Sequence, residues 1–169
     1  LEHAPDEASI NSLIAGMEAG LKGDPVKSVP KEMADAMAKL WRERNHDPAL
    51  VQLGMRLKQP EALDEALAMI ADRKVASSAK SALIGLIAEQ RNTKAIPTLS
   101  KLLSAEKSGR RQLELVTALQ RFSTVRIADL FITELPKWSG SVRIAAANAL
   151  SSRLEWAQLL LEAVDADAV

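Results

Sequence analysis

Apolar residues recur along this chain at three- and four-residue intervals, in blocks of about a dozen positions separated by short polar turns, which is the spacing of amphipathic helices. No strand pattern competes with it. Ile10, Leu13, Ile14, Met17 and Leu21 form the first stripe and predict a helix over residues 7–22, with Asp6 as N-cap and with Gly20 and Gly23 weakening and then ending it. Residues 24–29 read as a linker. Pro30 suits the first turn of a second helix running to about Arg44, in which Met33, Met37, Leu40 and Trp41 make the apolar face. Asn45-His46-Asp47-Pro48 then supplies a turn, a cap and the proline of a new helix start.

From there the pattern predicts helices in pairs: 48–57 with 60–72, 77–90 with 93–104, 108–121 with 123–135, and 141–152 with 154–164. Their connections are short, polar and capped by Asp, Asn or Ser, as antiparallel helix neighbours require. Pro97 falls in a first turn, where the missing N–H costs nothing, and Pro136 is expected to stop a helix. The most informative stretch is Ser141–Leu150, where Val142 and Arg143 open an alanine-rich helix, because Val125 and Arg126 repeat the opening in degraded form. The first helices of the pairs centre on Leu53, Leu86, Leu119 and Leu150, roughly 31 to 33 residues apart, inside the range of helical repeats. A hairpin of two short amphipathic helices cannot bury both stripes alone, so the expected architecture is all-α, with hairpins stacked around a shared core.

Composition narrows this picture. Hydrophobic residues make up 47% of the 169 positions but aromatics only 3%, with no Tyr, so the expected core is aliphatic. Lys plus Arg and Asp plus Glu balance at 22 each, which removes the long-range attraction that nucleic-acid or membrane-surface binding relies on. The chain has no Cys, so disulfides, thiolate metal sites, a thiol nucleophile and a haem-attachment Cys-x-x-Cys-His are excluded within it. It contains no apolar run of the roughly 18 residues that mark a membrane span, and no signal-peptide layout opens it. Because it starts at Leu1, it reads as a mature or excised piece of a longer protein. Leu159, Leu160, Leu161 and Val164, followed by no polar capping helix, predict that the parent continues into another domain.

The layout Val142-Arg143-x-x-Ala146-x-x-Ala149-Leu150, with Ala95-Ile96-Pro97-x-Leu99-x-x-Leu102-Leu103 from another unit, resembles the HEAT-repeat family in its short, phycobilisome-lyase-like form. The match is good over residues 47–164 and weaker before. It implies a right-handed α-solenoid of HEAT-like hairpins over residues 30–169, preceded by an N-terminal helix and linker at residues 1–29. In that family the Arg of such a pair commonly meets an acidic group of a neighbouring unit, which would make Arg126 and Arg143 an internal ladder. A narrower resemblance runs from Asn45-His46-Asp47-Pro48 to Ser152-Arg153-Leu154-Glu155-Trp156-Ala157: this stretch is similar to the helical region of planctomycete-type multidomain proteins. There the repeats lie between a dehydrogenase-like propeller and a cytochrome c domain, which implies an exported spacer between redox modules. Without that kinship a cytoplasmic location is the expectation. The chain lacks the haem motif, so no haem role carries over.

Candidate chemistry is sparse. His3 and His46, the only histidines, stand alone, whereas a metal site or a Ser-His-Asp arrangement needs company. Carboxylate pairs such as Asp64 with Glu65 and Glu162 with Asp165 fall on solvent-facing or helix-end positions, and no Gly-rich phosphate loop is present. The expectation is therefore no catalytic residue, no cofactor and no metal. The densest basic cluster is Lys107, Arg110 and Arg111, with Arg121 at the far end of the same helix. It reads either as ordinary solvated charge or as the lining of a groove for an acidic segment. Phe122 is the only aromatic nearby, which argues against base stacking. Trp41 and Trp156 lie on apolar stripes, whereas Trp138, beside Pro136 and Lys137, is the tryptophan expected to be exposed and a candidate partner contact. The leading expectation is a non-catalytic scaffold or spacer binding proteins, with no nucleic acid and no membrane insertion. The alternative is a lyase-like, cofactor-holding HEAT module that assists an enzyme.

Overall fold

The computed structural model describes residues 6–21, 29–44, 47–138 and 140–169. His3, Lys22, Gly23, residues 24–28 of the expected 24–29 linker, Asn45 and His46 lie outside the described residues. Among those described, the chain forms ten α-helices and no strand, so the all-α expectation holds. It divides into two compact units, Leu1–Leu86 and Ile87–Val169, with helix α5 (Ser77–Gln90) carrying the boundary.

In the first unit α1 (Glu7–Gly20) starts where the sequence places a cap: the Asp6 carboxylate accepts from the Ser9 N–H at 2.7 Å. That bond holds the Asp6 carboxyl below its ordinary range. Helix α2 spans Lys31–Glu43, α3 Pro48–Arg56 and α4 Ala62–Ala71. Asp47 caps α3 through the Ala49 N–H at 2.9 Å, and Pro48 occupies the first turn, where its lack of a donor is harmless. Ile14 of α1, Met37 and Leu40 of α2, and Leu50 and Leu53 of α3 with Leu57 form one buried cluster, and Trp41 packs half-buried against it. Helix α3 packs on both α1 and α4. The α1 contact carries a polar clasp, in which the Arg56 Nε donates to Glu18 Oε1 at 2.7 Å.

Gly54 and Gly85 sit inside helices for different reasons. A Cβ on Gly54 would lie 2.7 Å from Trp41 Cζ3 and 3.2 Å from the Ala62 Cβ, so the absence of a side chain lets α2 and α4 close on α3. Gly85 is exposed, with nothing within 4 Å of an added Cβ. Gly54→Ala is therefore expected to lower the stability of the first unit by roughly 1–3 kcal/mol through overpacking against a rigid ring. Gly85→Ala should raise stability by about 1 kcal/mol through helix propensity alone. Urea unfolding of the two variants should give shifts of opposite sign, and equal shifts would refute the close-packing account.

The second unit contains α6 (Ile96–Ala105), α7 (Gly109–Leu119), α8 (Val125–Glu134), α9 (Gly140–Ser151) and α10 (Leu154–Asp165). A 3₁₀ turn over Thr93–Ala95, capped by Asn92, leads into α6, and Pro97 lies in the first turn as expected. At the end of α8 the chain tightens into a second 3₁₀ turn, Leu135–Lys137, with Pro136 inside it. Helix α7 packs on α6 and α9, α8 packs on α10, and α9 packs on α10. Contacts in this unit thus run from a helix to the second helix after it as well as between sequence neighbours.

The core of this unit is not purely aliphatic. Phe131 of α8 has no exposed surface and sits between two indoles, its centroid 6.1 Å from Trp138 and 6.2 Å from Trp156, edge-on to both. Trp138, expected to be exposed, is 5% exposed. The 3₁₀ turn folds the chain back, the Trp138 N–H donates to the Leu135 carbonyl at 3.2 Å, and the ring returns onto Phe131 rather than projecting into solvent.

Candidate interaction surface

The basic residues singled out by the sequence gather at the start of α7, but two acids accompany them. The Glu106 carboxylate accepts from the backbone N–H groups of Lys107 and Ser108 at 2.8 and 2.9 Å, and its carbonyl accepts from the Gln112 side-chain amide at 2.8 Å. Glu106 therefore occupies donors at the N-terminus of α7, where a negative charge is favoured. One turn further on, Glu114 accepts from Arg111 Nη1 at 2.6 Å and lies 3.8 Å from the Arg110 Nε.

Arg111 is largely covered by this pairing, with 16% of its side chain exposed, whereas the Arg110 side chain is 91% exposed and extends into solvent. Lys107 is also exposed. Arg121 is exposed beyond the other end of α7, about 16 Å along the axis from Arg110 at 1.5 Å per residue. The fold therefore groups Lys107, Arg110 and Arg111 around Glu106 and Glu114 and leaves Arg121 apart. Lys107, Arg110 and Arg121 are the exposed cations, with Arg110 within ion-pair distance of Glu114. Trp138, being buried, is removed from the candidate contact set.

Val125-Arg126 and Val142-Arg143 point to an ion-pair ladder, but both arginines are exposed and neither side chain makes an ion pair among the described residues. A polar link between α7 and α10 comes instead from Arg153, which the residue pattern did not single out. Arg153 is the N-cap residue of α10, and its Nη2 donates at 2.7 Å to the carbonyl of Gln120, the C-cap residue of α7. Its guanidinium carbon lies 4.3 Å from the Trp156 centroid, within cation–π range. The remaining terminal nitrogen, Nη1, is buried without a partner among the described residues, as is the hydroxyl of Thr124, the N-cap residue of α8. The only sequence signal was the Arg-x-x-Trp spacing, which sets a cation beside a ring across one helical turn.

Most exposed large hydrophobic residues lie on the last two helices: Ile144 on α9, and Leu154, Leu161 and Val164 on α10. Among the described residues no group of three His, Asp or Glu could hold a metal ion, and no helix is long and apolar enough to cross a membrane. Comparison with protein-family models, with curated proteins and with solved structures finds no match to this chain.

Proposed function

We propose that this chain is a right-handed α-solenoid of HEAT-like hairpins that acts as a non-catalytic scaffold, spacing neighbouring domains and presenting a helical surface to protein partners. The observation that carries the reading is the packing of α7 on α9 together with α8 on α10, which is the relation between successive hairpins of a stack. The clasp from Arg153 to the Gln120 carbonyl supports it by joining one hairpin to the next through the main chain. The architecture has a direct solution test. A compact globule of this length has a radius of gyration of about 15–16 Å, so small-angle scattering from a stacked rod should exceed that clearly. A value at the globular figure would refute the solenoid.

The partner surface proposed is the solvent side of α7, where Lys107, Arg110 and Arg121 present charge for an acidic segment. Reversing Arg110 and Arg121 to Glu should weaken capture of a labelled Glu-rich amphipathic peptide by roughly tenfold at low salt, with far-UV circular dichroism unchanged. Arg111 is the internal control: Arg111→Glu removes the partner of Glu114 and should perturb helix stability as well as binding. Peptide affinity unaltered by the double reversal would remove this surface from consideration.

A further inference from the structure

Helices α8 and α10 occupy equivalent places in successive hairpins. Each follows its N-cap residue, Thr124 or Arg153, with an apolar arc in the same helical phase, so that Val125 corresponds to Leu154, Phe131 to Leu160 and Ile132 to Leu161. On α8 the middle of this arc is covered, since Phe131 has no exposed surface and meets Trp156 of α10 edge-on, while Ile132 is half-buried and Val125 at its start stays 45% exposed. On α10 the same arc is uncovered. Leu160 is half-buried, Leu154 is 77% exposed, Leu161 is 63% exposed, and Val164 lies in the same arc at 49%.

The flank of the α10 arc is acidic. Glu155, Glu162 and Asp165 are all exposed, and the helix contains no Lys or Arg. At 100° per residue these carboxylates line one edge of the Leu154–Leu161 stripe, beside Gln158, while Ala157 and Val164 continue the apolar arc on the other. The surface therefore has the shape of a helix-receiving face and a charge that selects what it receives. A second copy of the chain packed by two-fold symmetry would set α10 against α10 and bring its acidic edge toward itself. Charge complementarity instead favours a basic occupant.

We propose that the Leu154–Leu161–Val164 face of α10 docks one amphipathic helix of a partner polypeptide, whose apolar stripe is bordered by Lys or Arg facing Glu155, Glu162 and Asp165. The proposal rests on the hairpin-stacking reading, because that reading makes the α8 arc the template for the α10 arc. The occupant needs about 18 Å of helix to match the twelve residues of α10.

The test uses two labelled synthetic helical peptides with the same leucine stripe, one bordered by Lys and one by Glu, with binding followed by fluorescence anisotropy on the whole chain carrying Arg110→Gln and Arg121→Gln, which removes the acidic-peptide surface proposed on α7. The Lys-bordered peptide should bind at least roughly tenfold more tightly, with the preference shrinking at high salt. Leu154→Ser with Leu161→Ser should weaken it by a further tenfold or so, since both side chains are exposed in the free chain and their replacement leaves the core intact. Glu155→Lys with Glu162→Lys should transfer the preference to the Glu-bordered peptide. Equal binding of the two peptides, or indifference to the serine variants, would overturn the proposal. So would a concentration-dependent dimer in sedimentation that the serine variants abolish, because it would give the face to a second copy. Thermodynamic coupling between Phe131 and Trp156 separates the failures: its absence undermines the stacking reading, whereas its presence without peptide binding removes only the docking site.

Discussion

Phe131→Ala should destabilise the second unit by roughly 3–5 kcal/mol. The ring is fully buried between Trp138 and Trp156, so truncation removes its transfer free energy and leaves a void lined by two indoles that cannot collapse into it. Phe131→Leu retains most of the volume but loses both edge-to-face contacts, and is expected to cost about 1–2 kcal/mol. The measurement separates the two units because their tryptophans are distributed unequally: Trp138 and Trp156 belong to the second, and Trp41 to the first. Urea unfolding followed by fluorescence in single-tryptophan variants should show the Trp156 transition moving to lower denaturant while the Trp41 transition moves less. In a double-mutant cycle with Trp156→Leu, the pair should couple by roughly 0.5–1.5 kcal/mol beyond their separate effects. A loss below about 1 kcal/mol for Phe131→Ala would mean that this aromatic cluster does not hold the hairpins together.

Arg153→Ala is the second large effect, expected at about 2–3 kcal/mol. Three contributions are lost together: a charge-assisted hydrogen bond at 2.7 Å to the Gln120 carbonyl, the stacking of the guanidinium on Trp156, and the packing of the methylene stem. One gain opposes them, because Nη1, which has no hydrogen-bond partner among the described residues, no longer has to be buried. Lysine cannot present a planar fork both to a carbonyl and to a ring face, so Arg153→Lys should recover less than half of the loss. Since the acceptor is a neutral carbonyl, the effect should change little between low and high salt, unlike that of an ion pair. If alanine or lysine at position 153 proved as stable as the parent, the clasp would be a geometric coincidence rather than a fastening.

The helices themselves were legible in the sequence because their determinants are local. Ile10, Ile14 and Met17 share one face, Asp6 and Asp47 act as side-chain caps, and Pro97 falls where a first turn tolerates it. What the pattern misread is set by turns and side-chain meetings that helical spacing does not encode. Trp138 follows Pro-Lys and looks like a loop residue, but a 3₁₀ turn with no strong composition of its own returns it to Phe131. Arg126 and Arg143 recur in register and invite pairing, but neither makes an ion pair among the described residues, whereas the arginine that does link α10 to α7 reaches a main-chain oxygen, which leaves no mark in any side-chain pattern. The basic cluster on α7 was visible as composition. Its partial neutralisation by Glu106 and Glu114 depends on which rotamers meet, and periodicity does not encode that. The need for glycine at position 54 likewise comes from the indole of Trp41 and the methyl group of Ala62, which the helical pattern does not place.

Arg153 bonds to the carbonyl of residue 120 rather than to its side chain, so the amide of Gln120 plays no part in the attachment. Any amino acid that keeps the backbone in place offers the same oxygen. Mutational drift at position 120 is therefore invisible to the joint, and a fastening of this kind can persist through a lineage after the letters on its receiving side have been rewritten.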